Sequence, residues 1–173
     1  MRTVALDLFD PDSVQNAIDE LNKYADFIQK QVPVFVQTLA DKGVEIAKIN
    51  FSQAEYDGTN DVTIHTEGEG KSIAVVATGN ATLFIEFGTG VLNPADHPDP
   101  VAAQYPHGEY GYGLGKLPSW RYKGDPGTNG YIDPRYPDYI TTVGNPANAS
   151  LYHTVEDLKR MFKQVAEEVF KYD

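Results

Sequence analysis

From Val14 onward, the apolar positions Val14, Ile18, Leu21, Ala25, Ile28, Val32, Phe35, Leu39 and Ile46 recur every three or four residues, the spacing that lines one face of an α-helix. Asp10-Pro11 supplies a helix start: an N-cap carboxylate, then a proline at the first helical position, where its missing N–H costs nothing. The stripe keeps its phase through Pro33. It therefore predicts one long helix kinked near Gln29 to Pro33, even though proline inside a helix costs about 3 kcal/mol; a helical hairpin is the alternative. The period then changes. "DVTIHTEG" alternates Val62, Ile64 and Thr66 against Thr63 and His65, "EGEGK" offers a turn, and "SIAVVATG" gives a second β-rich run, together predicting a small antiparallel pair. At the other end Leu151, Val155, Leu158, Phe162, Val165 and Val169 repeat with helical spacing. They predict an amphipathic helix of about five turns, able to pack along the first helix or across the sheet.

Between these regular segments lie two others. "LFIEFGTG", Leu83 to Gly90, places Leu83, Ile85 and Phe87 on one face of a strand, yet Phe84 and Phe87 would equally share a helical turn. Its carboxylate, Glu86, is costly to bury without partners. From Leu92 to Pro146 the composition shifts: this stretch holds nine of the eleven prolines, seven of the eleven tyrosines and the single tryptophan, Trp120. Gly and Pro punctuate it too often for a long helix, and short strands are expected around Ser119 to Lys123 and Tyr139 to Val143. The expected architecture is α+β in one domain over residues 1–173, with 92–146 an extended Gly/Pro/Tyr-rich arm between the sheet and the C-terminal helix. Aromatic residues are scarce in disordered chains, so the arm reads as folded onto its own domain, laid on a neighbouring subunit or partner, or holding a carbohydrate or peptide on a platform of Tyr110, Tyr112, Trp120 and Tyr122.

Composition narrows the function. A net charge of −11 works against gripping a nucleic-acid backbone, and between Asn50 and Gly90 six acidic residues face only Lys71. Such a surface suits sliding rather than sequence-specific binding. The chain has no cysteine, which excludes disulfides and thiolate metal sites. Its first residues lack the apolar run of a secretory signal and no stretch reaches the roughly 20 apolar residues of a membrane span, so a non-exported protein without membrane partners is expected.

Candidate chemistry is sparse. Asp96, His97, Asp99, His107 and Glu109 are ligand types for zinc, but their spacing matches no motif that fixes ligands on a rigid element, and the prolines make the stretch read as turns. His65 and His153 read as structural. "GYGLGK" fails as a phosphate loop, because Tyr110 stands where the first glycine is required and Leu117 follows Lys116. There is no Gly-x-Ser-x-Gly elbow and no thiol nucleophile. No enzymatic activity, cofactor or metal is expected, although a hydrolase using the Asp96 to Glu109 cluster stands as a competing reading.

"ATLFIEFGTG", Ala81 to Gly90, resembles the Glu-Phe-Gly-Thr-Gly signature (Glu86, Phe87, Gly88, Thr89, Gly90) of the neck or tail-component proteins of long-tailed bacteriophages. A proline- and histidine-bearing turn, "NPADHPDP", follows, as it does in the subgroup from phages of Gram-positive hosts. Then come an aromatic arm with Trp120-Arg121-Tyr122 and a step through Thr142, Gly144, Pro146 and Ala147 into the last helix. The order of elements also matches, though Ala149-Ser150-Leu151 stands where the family often has Pro-Phe.

This resemblance implies a virion structural protein of the head-tail junction, assembled in the host bacterial cytoplasm. It would act in neck assembly or tail completion as a ring homo-oligomer that contacts the head-tail connector and the tail terminator or tail tube proteins. The interaction arm would present Tyr110, Tyr112, Trp120, Arg121, Tyr122, Tyr131 and Tyr139. The alternative is a carbohydrate- or peptide-binding module using the same aromatics. Glu86 is expected to accept N–H groups of the Gly88-Thr89-Gly90 turn or to pair with Arg121 or Arg135 of an adjacent arm, so that Glu86→Gln weakens assembly more than folding.

Overall fold

The computed structural model describes residues 6–89, 97–99 and 119–172, and these form an α+β fold. Helix α1 spans Pro11–Ser52, with the Asp10 side chain accepting the Asp12 N–H at 3.0 Å as its N-cap. It runs unbroken through Pro33, so the hairpin alternative is excluded. Strands β1 (Thr63–Glu69) and β2 (Ser72–Thr78) form the antiparallel hairpin, with Thr63 opposite Thr78 and Glu69 opposite Ser72. A six-residue helix α2 (Thr82–Phe87) follows, then β3 (Trp120–Tyr122), β4 (Tyr131–Ile132), β5 (Ile140–Thr142) and helix α3 (Ser150–Val169). The last three strands make a second antiparallel sheet in the order β3-β5-β4, with every residue of the central strand buried.

Helix α3 lies antiparallel to α1. Its first turn meets Asn50, whose amide donates to Ser150 O at 3.3 Å and Thr154 Oγ1 at 3.1 Å, while Phe162 and Phe170 pack on the ring of Phe35. Beyond the helix, Tyr172 meets Tyr24 and Phe27. The core forms where α1, the hairpin and α2 converge: Ala47, Phe51, Ile64, Ala81 and Ile85, with Val44, Val62, Val75 and Leu151 packed around them.

The faces differ from the predicted stripes. In α1 the buried residues are Ala17, Ala40, Gly43, Ala47 and Phe51, whereas Ile18 and Leu21 of the stripe are exposed. Small residues line the inner side because they let the hairpin and α3 approach the helix axis closely, and the large ones flank that contact. In α3 only Val165 of the predicted stripe is buried, beside Ser150 and Thr154, and Val155 and Phe162 are exposed.

The second sheet is fastened just beyond the C-terminal end of α1. The Tyr56 N–H donates to Thr128 Oγ1 at 3.2 Å and the Thr128 N–H to Tyr56 O at 3.0 Å. The buried Asp57 carboxylate accepts the Asn129 N–H at 2.8 Å and the Thr142 hydroxyl. Gly127, at φ +62°, is required here: a Cβ would sit 2.2 Å from Tyr56 O, with backbone rather than a movable side chain in the way.

Candidate interaction site

The signature stretch forms helix α2, not a strand. Its start is set by Asp61, whose carboxylate accepts the Ala81 N–H at 2.9 Å and the Asn80 N–H at 3.0 Å. These hydrogen bonds hold the Asp61 carboxyl below the usual carboxylate range. Its end is Gly88 at φ +76°, whose N–H donates to Phe84 O at 2.9 Å. The chain then docks through Thr89: its N–H donates to Asn145 O at 2.8 Å, and its hydroxyl donates to Asn145 Oδ1 at 2.9 Å. Asn145, almost fully buried, returns its own N–H to Thr89 Oγ1 at 3.2 Å and its amide to Phe84 O at 3.1 Å. Gly90 lies outside the described residues.

Glu86 is 6% exposed and does something other than expected. The residue preceding α3 is Ala149, in the left-handed conformation at φ +50°, with no side chain able to cap the helix. Glu86 reaches across from α2 and takes that place: Oε2 accepts the Leu151 N–H at 2.8 Å and Oε1 the Tyr152 N–H at 3.2 Å. These are the second and third residues of the helix, the donors an N-cap side chain would satisfy, and the helix dipole favours a negative charge there. The α2 main chain joins in, with Ile85 O accepting the Asn148 N–H at 2.9 Å and Glu86 O the Ala149 N–H at 3.1 Å.

His97 completes the shell. Its Nδ1 accepts the Asp99 N–H at 3.1 Å, which places the proton of a neutral ring on Nε2, 3.4 Å from Glu86 Oε1. The ring is buried against Phe87 and Tyr152. Neither partnership expected for Glu86 is seen within the chain among the described residues. The N–H groups of Gly88 and Thr89 go to main-chain carbonyls, and within the chain Arg135 chelates Asp133 while Arg121 lies on Tyr136. With two helix N–H groups depending on it, Glu86 acts first on the fold.

The arm residues divide. Tyr110 and Tyr112 fall outside the described residues, as do Asp96, His107 and Glu109 of the candidate metal cluster. Trp120, Arg121 and Tyr122 form β3, Tyr131 opens β4, and Tyr139 immediately precedes β5. Arg121, Thr141 and Tyr131 are cross-strand partners on one face of this sheet. The Arg121 guanidinium lies 3.6 Å from the centroid of Tyr136, and the Lys123 ammonium 5.4 Å from that of Tyr139. Neither cation has an ion-pair partner among the described residues. Tyr131, Ile132, Tyr136 and Tyr139 are all exposed.

Arg135 makes the tightest ion pair here, with Asp133 at 2.7 Å, and holds the Asp133 carboxyl down to about 2. Burial raises the Tyr122 hydroxyl above its ordinary range, and that hydroxyl donates to Asp125 O at 2.7 Å. His65 is exposed, 3.2 Å from Glu67, and His153 is exposed with its ring edge toward Tyr152.

Sequence reasoning missed the residues that fasten these parts: Asp57, Asp61, Asn145 and Asn148. Each is a short polar side chain in a segment without periodicity, which signals a turn but not which distant N–H it will meet. Among the described residues no helix is long and apolar enough to cross a membrane. Compared with models of known protein families, with curated protein sequences and with solved structures, the chain matches none.

Proposed function

We propose that this chain is a structural virion protein of a long-tailed bacteriophage, located at the head-tail junction and acting in neck assembly or tail completion as a ring. Its partners are further copies of itself, the head-tail connector, and the tail terminator or tail tube proteins. The observation that carries the reading is the tyrosine-cation face of the second sheet. There Arg121 and Lys123 lie over tyrosine rings with no ion pair among the described residues, and Tyr131, Tyr136 and Tyr139 stand in solvent. Tyrosine and arginine are the residue types enriched at protein interfaces, and arginine held on an aromatic ring gives up little freedom when a partner arrives.

Three further features support it. The signature resemblance covers nearly the whole order of elements. Glu86 caps a helix, a structural use of the signature carboxylate that agrees with an assembly protein. The overall negative charge suits a channel wall past which DNA slides.

The test is to mix the purified full chain with the connector and tail tube proteins encoded beside it and to image the product by electron microscopy. Rings, or a stoichiometric complex with either partner, are expected. A chain that stays monomeric and binds neither protein overturns the reading.

A further inference from the structure

The segment ahead of α1 reads Leu6-Asp7-Leu8-Phe9-Asp10-Pro11-Asp12, carboxylates interleaved with large apolar side chains. It is held as a turn by its own hydrogen bonds. Asp7 Oδ1 accepts the Phe9 N–H at 3.0 Å, Asp7 O accepts the Asp10 N–H at 3.3 Å, and the Asp7 N–H donates to Ser13 Oγ at 2.9 Å. The tip of that turn is Leu8 and Phe9, 76% and 97% exposed. Phenylalanine and leucine set side by side on an ordered turn, with almost none of their surface covered, lack the burial that would justify their apolar character in an isolated molecule.

The tyrosine-cation face has the complementary chemistry: exposed aromatic surface and two cations, Arg121 and Lys123, that form no ion pair among the described residues, although Arg121 stands close enough to the Arg135-chelated Asp133 carboxylate to help hold it down. The two surfaces cannot meet within one molecule. Helix α1 has 42 residues and at 1.5 Å per residue spans about 63 Å. The turn precedes its first residue, and the sheet is fastened to Tyr56 and Asp57, just past its last.

We propose that the Leu8-Phe9 turn of one copy docks on the Arg121/Lys123-tyrosine face of the next copy. Phe9 inserts among the tyrosines, and the Asp7, Asp10 and Asp12 carboxylates face the two cations. The contact joins two different surfaces head to tail, so it propagates and closes as a ring when the rotation per subunit allows. It rests on the ring reading above, for which it supplies the contact between subunits.

Light scattering coupled to gel filtration of the full chain tests it, with two double variants. Leu8→Ser/Phe9→Ser removes the knob, and Arg121→Glu/Lys123→Glu reverses the socket. The wild-type chain is expected to self-associate with concentration and to dissociate as salt rises. Each double variant is expected to lose about thirtyfold or more in association, the loss typical of an interface anchor. Mixed together, the two variants should form a 1:1 dimer and stop there, because only one intact knob and one intact socket can meet. Lys123→Glu alone, placed after the strand, gives a smaller loss in the same direction and guards against misfolding of the double variant.

Wild-type self-association that persists in either double variant overturns this contact and leaves the virion reading standing, as does a mixture that remains monomeric. A wild-type chain that is monomeric at about 1 mM, where even a weak contact would be half-formed, but binds the connector or tail tube protein likewise overturns the contact alone. Failure of both self-association and partner binding overturns the two proposals together.

Discussion

At its C-terminal end α1 turns Ala40, Gly43, Ala47 and Phe51 inward against the hairpin, α2 and α3, while toward its N-terminal end Ile18 and Leu21 face solvent and the preceding turn holds Phe9 almost bare. The two ends carry the same kind of periodic apolar pattern. What separates them is length: α3, with 20 residues, covers about 30 Å of a helix about 63 Å long, and Tyr172, beyond its end, meets Tyr24 and Phe27. An apolar stripe therefore records that a face is meant to be covered, without saying whether the cover lies in the same chain. One end of the helix builds the core, and the other carries large apolar side chains in solvent.

The comparison breaks most easily at the covered end. Phe51→Ala empties a site that is 2% exposed at the centre of the core and should cost about 3–5 kcal/mol in urea unfolding. A loss under about 1 kcal/mol would mean that this end is not the core. Glu86→Ala comes next, because it strands the Leu151 and Tyr152 N–H groups and removes the acceptor beside His97. It should cost about 1–3 kcal/mol and speed hydrogen exchange in the first turn of α3. Glu86→Gln, which keeps one carbonyl oxygen as acceptor, should cost less.

A smaller, local effect follows from Asp133. Its carboxyl lies at about 2 in the folded chain against an ordinary 3.8, chiefly through the hydrogen bonds of Arg135. A depressed carboxylate contributes fully above its unfolded value and loses that contribution as protons bind. The Asp133 to Tyr136 turn should therefore be unchanged down to about pH 4 and loosen as pH falls toward 2, seen as faster exchange of the Arg135 and Tyr136 amides. Equal protection at pH 5 and pH 2 would contradict the assignment. The smallest effect belongs to the bare end: Phe9→Ser should move folding stability by no more than about 0.5 kcal/mol, as for other exposed positions, and a larger loss would show that Phe9 packs on its own molecule.

Much of the secondary structure was legible in the residues. Asp10-Pro11 marked the helix start, the alternation of Val62, Ile64 and Thr66 marked the hairpin, and the C-terminal periodicity marked α3. The strands at Trp120–Tyr122 and Ile140–Thr142 were also visible, but β4, two residues between Gly130 and Asp133, is too short to leave a pattern. The helix at Thr82–Phe87 was ambiguous because six residues fit either period. Glu86 signalled that a buried carboxylate would need partners, yet its partners lie 65 and 66 residues away in sequence, and local pattern carries no information at that range. The Leu8-Phe9 turn passed unnoticed, since two apolar residues before a helix cap read as a hydrophobic staple or as core.

By itself the sequence determined the periodicities, the α+β class and the absence of cysteine chemistry, because these depend on spacing along the chain and on side-chain type. Only the tertiary structure decided which side of α1 is inside, that a glutamate from the short helix α2 caps α3, and that the bare Leu8-Phe9 turn and the tyrosine-cation sheet stand at opposite ends of one long helix. Those outcomes depend on which segments meet in space, and a helix or strand pattern is satisfied equally well by many partners.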